Sequence, residues 1–247
     1  MDLKLPEYLY KYTKVDQNFI NMLVEKKLRF SSPLTFNDPF DCKLYDKYEL
    51  DAKEWKKYFL SLDPEGYRKK FEAADKNLAI YTAKFQYMDA IQKAINQIGV
   101  CCFSADENNL LLWGHYADSH KGACIKFRTS ELSKVFPIIR WIQYSQNFPE
   151  VEVLKDFHGA LDVAPLHKSL DWSYEKEIRI INGEHGFFDF PSEAIEQITF
   201  GVKCERETLP LETLREFKRI GYKKLRYIFS TQSRQSYKVV QGGEWGF

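Results

Sequence analysis

Apolar and polar positions alternate from the start of the chain. Tyr8-Leu-Tyr-Lys-Tyr-Thr13 puts every second residue on one face, the period of a half-buried strand. After Asp16 the period changes. Phe19, Ile20, Leu23 and Val24 recur at helical spacing, so a helix capped by Asp16 is predicted through Lys26. Leu28 to Ser31 reads as a short strand. Ser32 to Asp41 reads as a loop, because Pro33 and Pro39 remove backbone donors and Asn37-Asp38-Pro39 favours a turn. Residues 51 to 97 read as mostly helical. Asp51 and Asp63 stand at cap positions, Pro64 at a first helical position, and Gly99 at the end. Ile80, Phe85, Met88, Ile91 and Ile95 supply the apolar face of the last of these helices.

Beyond Gly99 the elements shorten. Strands are predicted at 100–104, 123–127, 138–144, 174–181, 198–201, 225–229 and 237–240. Helices are predicted at 108–118, 156–169 and 209–219. Hairpins and helices mix without a regular βαβ alternation. That order predicts an α+β fold with a mostly antiparallel, split sheet core and flanking helices. A single domain over 1–247 is expected, with 51–97 as a helical insertion or lid. No Gly-, Ser- or Pro-rich linker and no internal repeat divides the chain.

Composition narrows the function. Apolar residues make up 44% of the 247, enough for a large core, and aromatic residues 16%, enough also to wall a pocket for a planar ligand. A net charge of +1 gives no global attraction to nucleic acid or membrane. The balance is uneven, however. Lys203 to Lys238 holds ten Lys or Arg against four Glu, an excess of six, and such a segment reads either as a solvated face or as a patch for phosphates. The five cysteines are odd in number and form no C-x-x-C, the pattern of reduced thiols in a cytoplasmic protein. The first residues lack the apolar stretch of a secretory signal, and no run reaches the roughly 20 apolar residues of a membrane helix. Phosphate-binding glycine loops, H-E-x-x-H, clustered Cys/His and G-x-S-x-G are all missing, so no metal site is expected.

Three polar–aromatic motifs carry the candidate chemistry. In Phe36-Asn-Asp-Pro-Phe-Asp41, two carboxylates and an amide share a Pro-stiffened turn, which serves equally to hold its own backbone. In the second, a strand ends at Ser104, a helix then carries Trp113 and Tyr116 on one face, and Gly122 permits a sharp entry to the next strand. Packed core and ligand wall are both open readings there. The third is Trp172-Ser-Tyr-Glu-Lys-Glu-Ile-Arg179. As a strand it would place Glu175, Glu177 and Arg179 on one face, the carboxylates about 7 Å apart beside a guanidinium. Such a group suits acid/base work or the stabilisation of a cation, or is an exposed ion pair.

Taken together these motifs resemble a widespread bacterial family known only as a domain of unknown function. The residues that carry the resemblance are Leu9-Tyr-Lys-Tyr12, Phe30-Ser-Ser-Pro33, Phe36–Asp41, Cys102-Phe-Ser104, Trp113–Gly122, Lys168 and Trp172–Arg179. Their order is also similar to that of ADP-ribosyltransferases, which present a first-strand His or Arg, a Ser or Tyr with an aromatic helix, and a Glu on a later strand. Here Lys11 or Tyr12 stands first, Ser104 and Tyr116 second, Glu175 or Glu177 third. The Tyr-Lys-Tyr departs from the usual His or Arg.

That resemblance implies an enzyme that transfers ADP-ribose from NAD to a nucleic-acid or protein acceptor, as a toxin or phage-defence effector with a neutralising partner protein. Glu177 would stabilise positive charge on the ribose, and Glu175 would orient or activate the acceptor. Lys11, Tyr12, Ser104, Trp113, Tyr116 and Arg179 would hold NAD. Two rivals stand beside it: a metal-dependent nuclease using Asp38, Asp41, Glu175 and Glu177, and a non-catalytic ligand-sensing module.

Overall fold

The computed structural model describes residues 3–46, 51–72, 76–151, 157–205, 211–222 and 225–244. The first half runs β1 (Tyr8–Thr13), α1 (Gln17–Glu25), β2 (Lys27–Phe30), β3 (Tyr45–Asp46), α2 (Ala52–Leu62), α3 (Pro64–Glu72), α4 (Lys76–Gln97), β4 (Gly99–Ser104), α5 (Leu110–His115), β5 (Ala123–Arg128) and α6 (Thr129–Leu132). The second half runs β6 (Ile139–Trp141), β7 (Gln143–Ser145), β8 (Glu150–Val151), α7 (Phe157–Val163), β9 (His167–Ser169), β10 (Glu177–Asn182), β11 (Gly186–Asp189), β12 (Ile195–Phe200), α8 (Leu211–Arg219), β13 (Arg226–Gln232) and β14 (Val239–Glu244). The architecture is α+β, as expected. Eight strands form one sheet in the order β14-β13-β12-β5-β1-β4-β10-β6, antiparallel except for β12 beside β13.

Local chemistry accounts for the helix starts. The Asp16 side chain accepts from the Phe19 amide, and Lys26 ends α1 in the left-handed region. Asp51 and Glu54 close a reciprocal capping box at α2. One face of the main sheet packs Leu9, Cys101, Phe103, Ile125, Phe127, Ile178, Ile180 and Ile198 with Phe19 and Leu23 of α1. The 51–97 helices pack Trp55, Phe59, Phe71 and Ala83 against one another, while Ile91 and Ile95 at the end of α4 reach Cys42, Ala160 and Ala164.

Several boundaries move. Residues 108–118 hold a helix of six residues only, α5. The chain then turns through Asp118, Ser119 and His120, all at positive φ, before entering β5. The expected helix over 156–169 ends at Val163, because Pro165 supplies no amide. His167–Ser169 forms instead a strand, β9, that pairs parallel with β7. Phe85 is 76% exposed, since the buried face of α4 runs through Ala83, Ile91 and Ile95, each a multiple of four apart, and Phe85 lies off that line. Residue 156 and residues 209–210, the starts of two expected helices, lie outside the described residues.

β1 and β4 are neighbours but scarcely joined. β1 pairs with β5 over six positions and β4 with β10 over six, yet β1 meets β4 at one pair, Tyr10 with Ser104. In the gap, Lys11 Nζ donates to the Cys102 carbonyl at 3.1 Å, taking the place of a strand partner. The sheet is thus opened between the strand that carries Lys11 and Tyr12 and the strand that ends at Ser104.

Candidate functional site

The site is built on that opening. In β10, Ile178 and Ile180 face the core, so Glu177 and Arg179 face the other side. Register places Glu177 opposite Ser104 and Arg179 opposite Cys102. Glu175 arrives differently from expectation. Leu170–Glu175 is a 3-10 helix, not a strand, and Lys176 ends it at φ 46° in the left-handed region. The reversal at Lys176 breaks the alternation, and Glu175 is delivered from the turn rather than from the strand face. The Ser104 hydroxyl pins that turn by donating to the Glu175 carbonyl at 2.6 Å, and Asn109 Nδ2 donates to the Tyr174 carbonyl.

Five charged side chains meet there, all buried. Lys168 Nζ donates to Glu175 Oε2 at 2.6 Å and to Glu177 Oε2 at 3.0 Å. Arg179 Nε donates to Glu177 Oε1 at 2.6 Å, and its two terminal nitrogens grip Asp41 at 2.9 and 2.6 Å. Arg179 also donates to the Pro165 carbonyl. Tyr116 donates to Glu175 Oε1 at 2.8 Å, and the Tyr144 hydroxyl accepts from the Glu177 amide. Lys168 lies over the Trp172 ring, and Arg179 over Phe36.

Three carboxyl groups face two cations, and desolvation penalises the surplus charge. The two glutamates divide accordingly. Burial would raise the Glu177 carboxyl, but Arg179 and Lys168 outweigh it and hold the group at about 2. Burial raises Glu175, the negative charge of Glu177 adds to it, and Lys168 with the Tyr116 hydroxyl only partly opposes them. Burial would lower Lys168, yet the two glutamates keep it firmly protonated. Two neighbouring carboxyls pushed in opposite directions can serve as a fixed charge and a proton carrier.

The cluster floors a cavity of about 550 Å³, within the usual range for small-molecule sites. Lys11, Tyr12, Ser104, Tyr116, Glu175, Glu177 and Arg179 all line it, joined by Tyr10, Phe36, His115 and Trp172. Trp113 does not. It is fully buried behind the wall, edge-on to Tyr12 at 5.3 Å and stacked on His120, so it supports Tyr12 rather than facing the cavity. Within the first motif the roles separate. Asp38 holds its own turn by accepting from the Phe40 amide, whereas Asp41 belongs to the charged cluster. Sequence reasoning missed Lys168, Tyr144 and the pairing of Asp41 with Arg179. Lys168 stood in the family motif without a role; nothing local marks Tyr144.

Among the described residues no three His, Cys, Asp or Glu side chains are grouped to hold a metal ion. Glu177 and Asp41 already spend their oxygens on Arg179 and Lys168. No helix among the described residues is long and apolar enough to cross a membrane.

Residues 112–180 match the family described as Protein of unknown function (DUF2971). The matched stretch runs from α5 into β10 and contains Tyr116, Lys168, Glu175, Glu177 and Arg179. It agrees with the family resemblance carried by the second and third motifs. No curated protein and no solved structure matches the chain.

Proposed function

We propose that the cavity is the active centre of an ADP-ribosyltransferase-like enzyme that breaks the nicotinamide–ribose bond of NAD and passes the ADP-ribose to a nucleic-acid or protein acceptor, in the setting of a toxin or phage-defence effector. The observation that carries this reading is the pair Glu175 and Glu177, held on one ammonium with their proton affinities driven apart, at the floor of an aromatic-walled opening in the sheet.

The chemistry follows from the residues. As the glycosidic bond breaks, its electron pair leaves with the nicotinamide nitrogen and positive charge develops at the ribose. Glu177 stays ionised and presents that charge with a fixed carboxylate. Its oxygens accept three cationic bonds, one from Lys168 and two from Arg179, but a carboxylate has about four acceptor sites, so one remains for a ribose hydroxyl. An acceptor lone pair then forms the new bond to the ribose carbon, and the acceptor's proton passes to Glu175. Tyr12, Tyr116 and Trp172 offer faces for the planar base.

Incubation with labelled NAD, with RNA, DNA and cell protein as acceptors, tests the proposal. Nicotinamide release or label transfer is expected. Neither, with every acceptor pool, removes it. One observation favours a second reading, a non-catalytic ligand sensor: the charged cluster is internally satisfied and needs no reaction to justify it. Stabilisation of the protein by NAD with no turnover would select that reading.

A further inference from the structure

A second cavity, of about 600 Å³, lies on the far side of α5 from the first. Leu110 of α5 lines it, whereas Leu112, His115 and Tyr116 line the first. The remaining wall is the turn between β13 and β14, with Val202 and His120. Its lining includes Arg234 and Lys238 and no Asp or Glu. Neither cation forms an ion pair among the described residues. Lys203 adds positive charge beside it: its amide donates to the His120 carbonyl, and its ammonium joins burial in lowering the His120 basicity.

The turn is preformed. Ser233 Oγ accepts from the amides of Gln235 and Ser236, and the Ser233 amide donates to the Lys238 carbonyl. From this closed turn Tyr237 projects with 95% of its surface exposed. An aromatic ring so exposed gains nothing from the fold, and it stands between two cations at 234 and 238. The combination of positive charge without acid and an exposed ring on a rigid turn suits a chain that offers both phosphates and flat bases. An acidic peptide would use the cations and leave the ring idle.

We infer that this turn and cavity bind single-stranded nucleic acid, with phosphates on Arg234 and Lys238 and a base stacked on Tyr237. The inference deepens the transferase reading, on which it rests for its link to the first cavity, by naming the acceptor class, since α5 lines both cavities. The two sites also share an aromatic contact through the buried Trp113, which meets Tyr12 edge-on and stacks on His120.

The test is fluorescence anisotropy of a labelled single-stranded oligonucleotide with the full chain, without NAD, over a salt series. Saturable binding that weakens with salt is expected. Arg234→Ala with Lys238→Ala should flatten the logarithmic salt slope by about 0.7 for each phosphate no longer neutralised. Tyr237→Ala should weaken binding about five-fold or more, with Tyr237→Phe close to wild type. Circular dichroism checks that these surface variants fold. No binding at low salt overturns the inference, as does binding that none of the variants changes. Displacement by polyglutamate with Tyr237→Ala silent overturns it in favour of an acidic protein partner. Oligonucleotide binding without nicotinamide release sustains this inference and defeats the transferase reading; release without oligonucleotide binding does the reverse.

Discussion

At the residue scale, Glu175 and Arg179 answer different questions. Glu175 owes its ionisation to what touches it. The Tyr116 hydroxyl bonds the charged form and so lowers the pKa against the pull of burial. Tyr116→Phe removes that bond, and Glu175 should then hold its proton to still higher pH. If Glu175 accepts the acceptor's proton, the acidic limb of the pH–rate profile for ADP-ribose transfer to the acceptor moves upward, and the rate falls about five-fold for one lost hydrogen bond of ~1 kcal/mol. An unmoved limb would remove Glu175 from the proton path. Arg179 is structural in the first instance. Arg179→Met leaves Asp41 and Glu177 buried without their partner, at a cost of about 3–5 kcal/mol. Chemical denaturation should show that loss, with part of it recovered on adding Asp41→Asn. The alternation of Glu177 and Arg179 on one face was legible from spacing alone. The grip of Arg179 on Asp41 was not, because 138 residues separate them and no local pattern encodes a partner so distant. Glu175 reached the same cavity by a turn that strand periodicity does not describe.

At the element scale, the strongest local requirement is Gly122. A Cβ there would stand 2.2 Å from the Thr13 carbonyl oxygen, where the left-handed turn of Asp118 to His120 closes onto β1. Gly122→Ala should therefore cost about 3 kcal/mol or more, since backbone rather than a yielding side chain is in the way. Gly114 in α5 has nothing within 4 Å, and Gly114→Ala should stabilise by up to about 1 kcal/mol. Thermal melts of the two variants check both signs. Caps and turn residues made most element starts readable: Asp16, Asp51 and Asp63 each stand where a helix begins. The short paired strands were harder. β7 and β9 are three residues each, and β2 with β11 four. Such lengths are too brief for a period to declare itself, and their pairing depends on chain that returns from far away.

At the scale of the whole molecule, the charged cluster ties loop 36–41, β9, the 3-10 turn and β10 into one unit, so its titration is felt globally. Glu177 is held below its ordinary 4.5, at about 2. Its ion pairs contribute fully above 4.5 and are lost as pH falls toward 2. Glu175, raised by burial, works in the opposite sense and contributes on the acid side. The melting temperature of the wild type should fall as pH drops below 4.5. In Glu177→Gln, less stable at neutral pH, that part of the slope should flatten; an unchanged slope would place the acid lability elsewhere. The sheet order, with β1, β4 and β10 adjacent, arises from pairings between distant strands and could be expected only as a fold class. Yet that adjacency brings Lys11 and Tyr12, Ser104, and Glu177 with Arg179 together, and Arg179 draws in Asp41 of the loop. The opening between β1 and β4, bridged by Lys11, supplies the cavity into which both glutamates face.

Release of nicotinamide from NAD by the full chain is the most direct measurement of what those glutamates do. It should be run with RNA, DNA and cell protein present, and with wild type beside Glu177→Gln and Glu175→Gln. The prediction is release by the wild type and its loss in Glu177→Gln, with NAD still stabilising the folded variant. Undiminished release by Glu177→Gln, or none from the wild type with any acceptor, would contradict it.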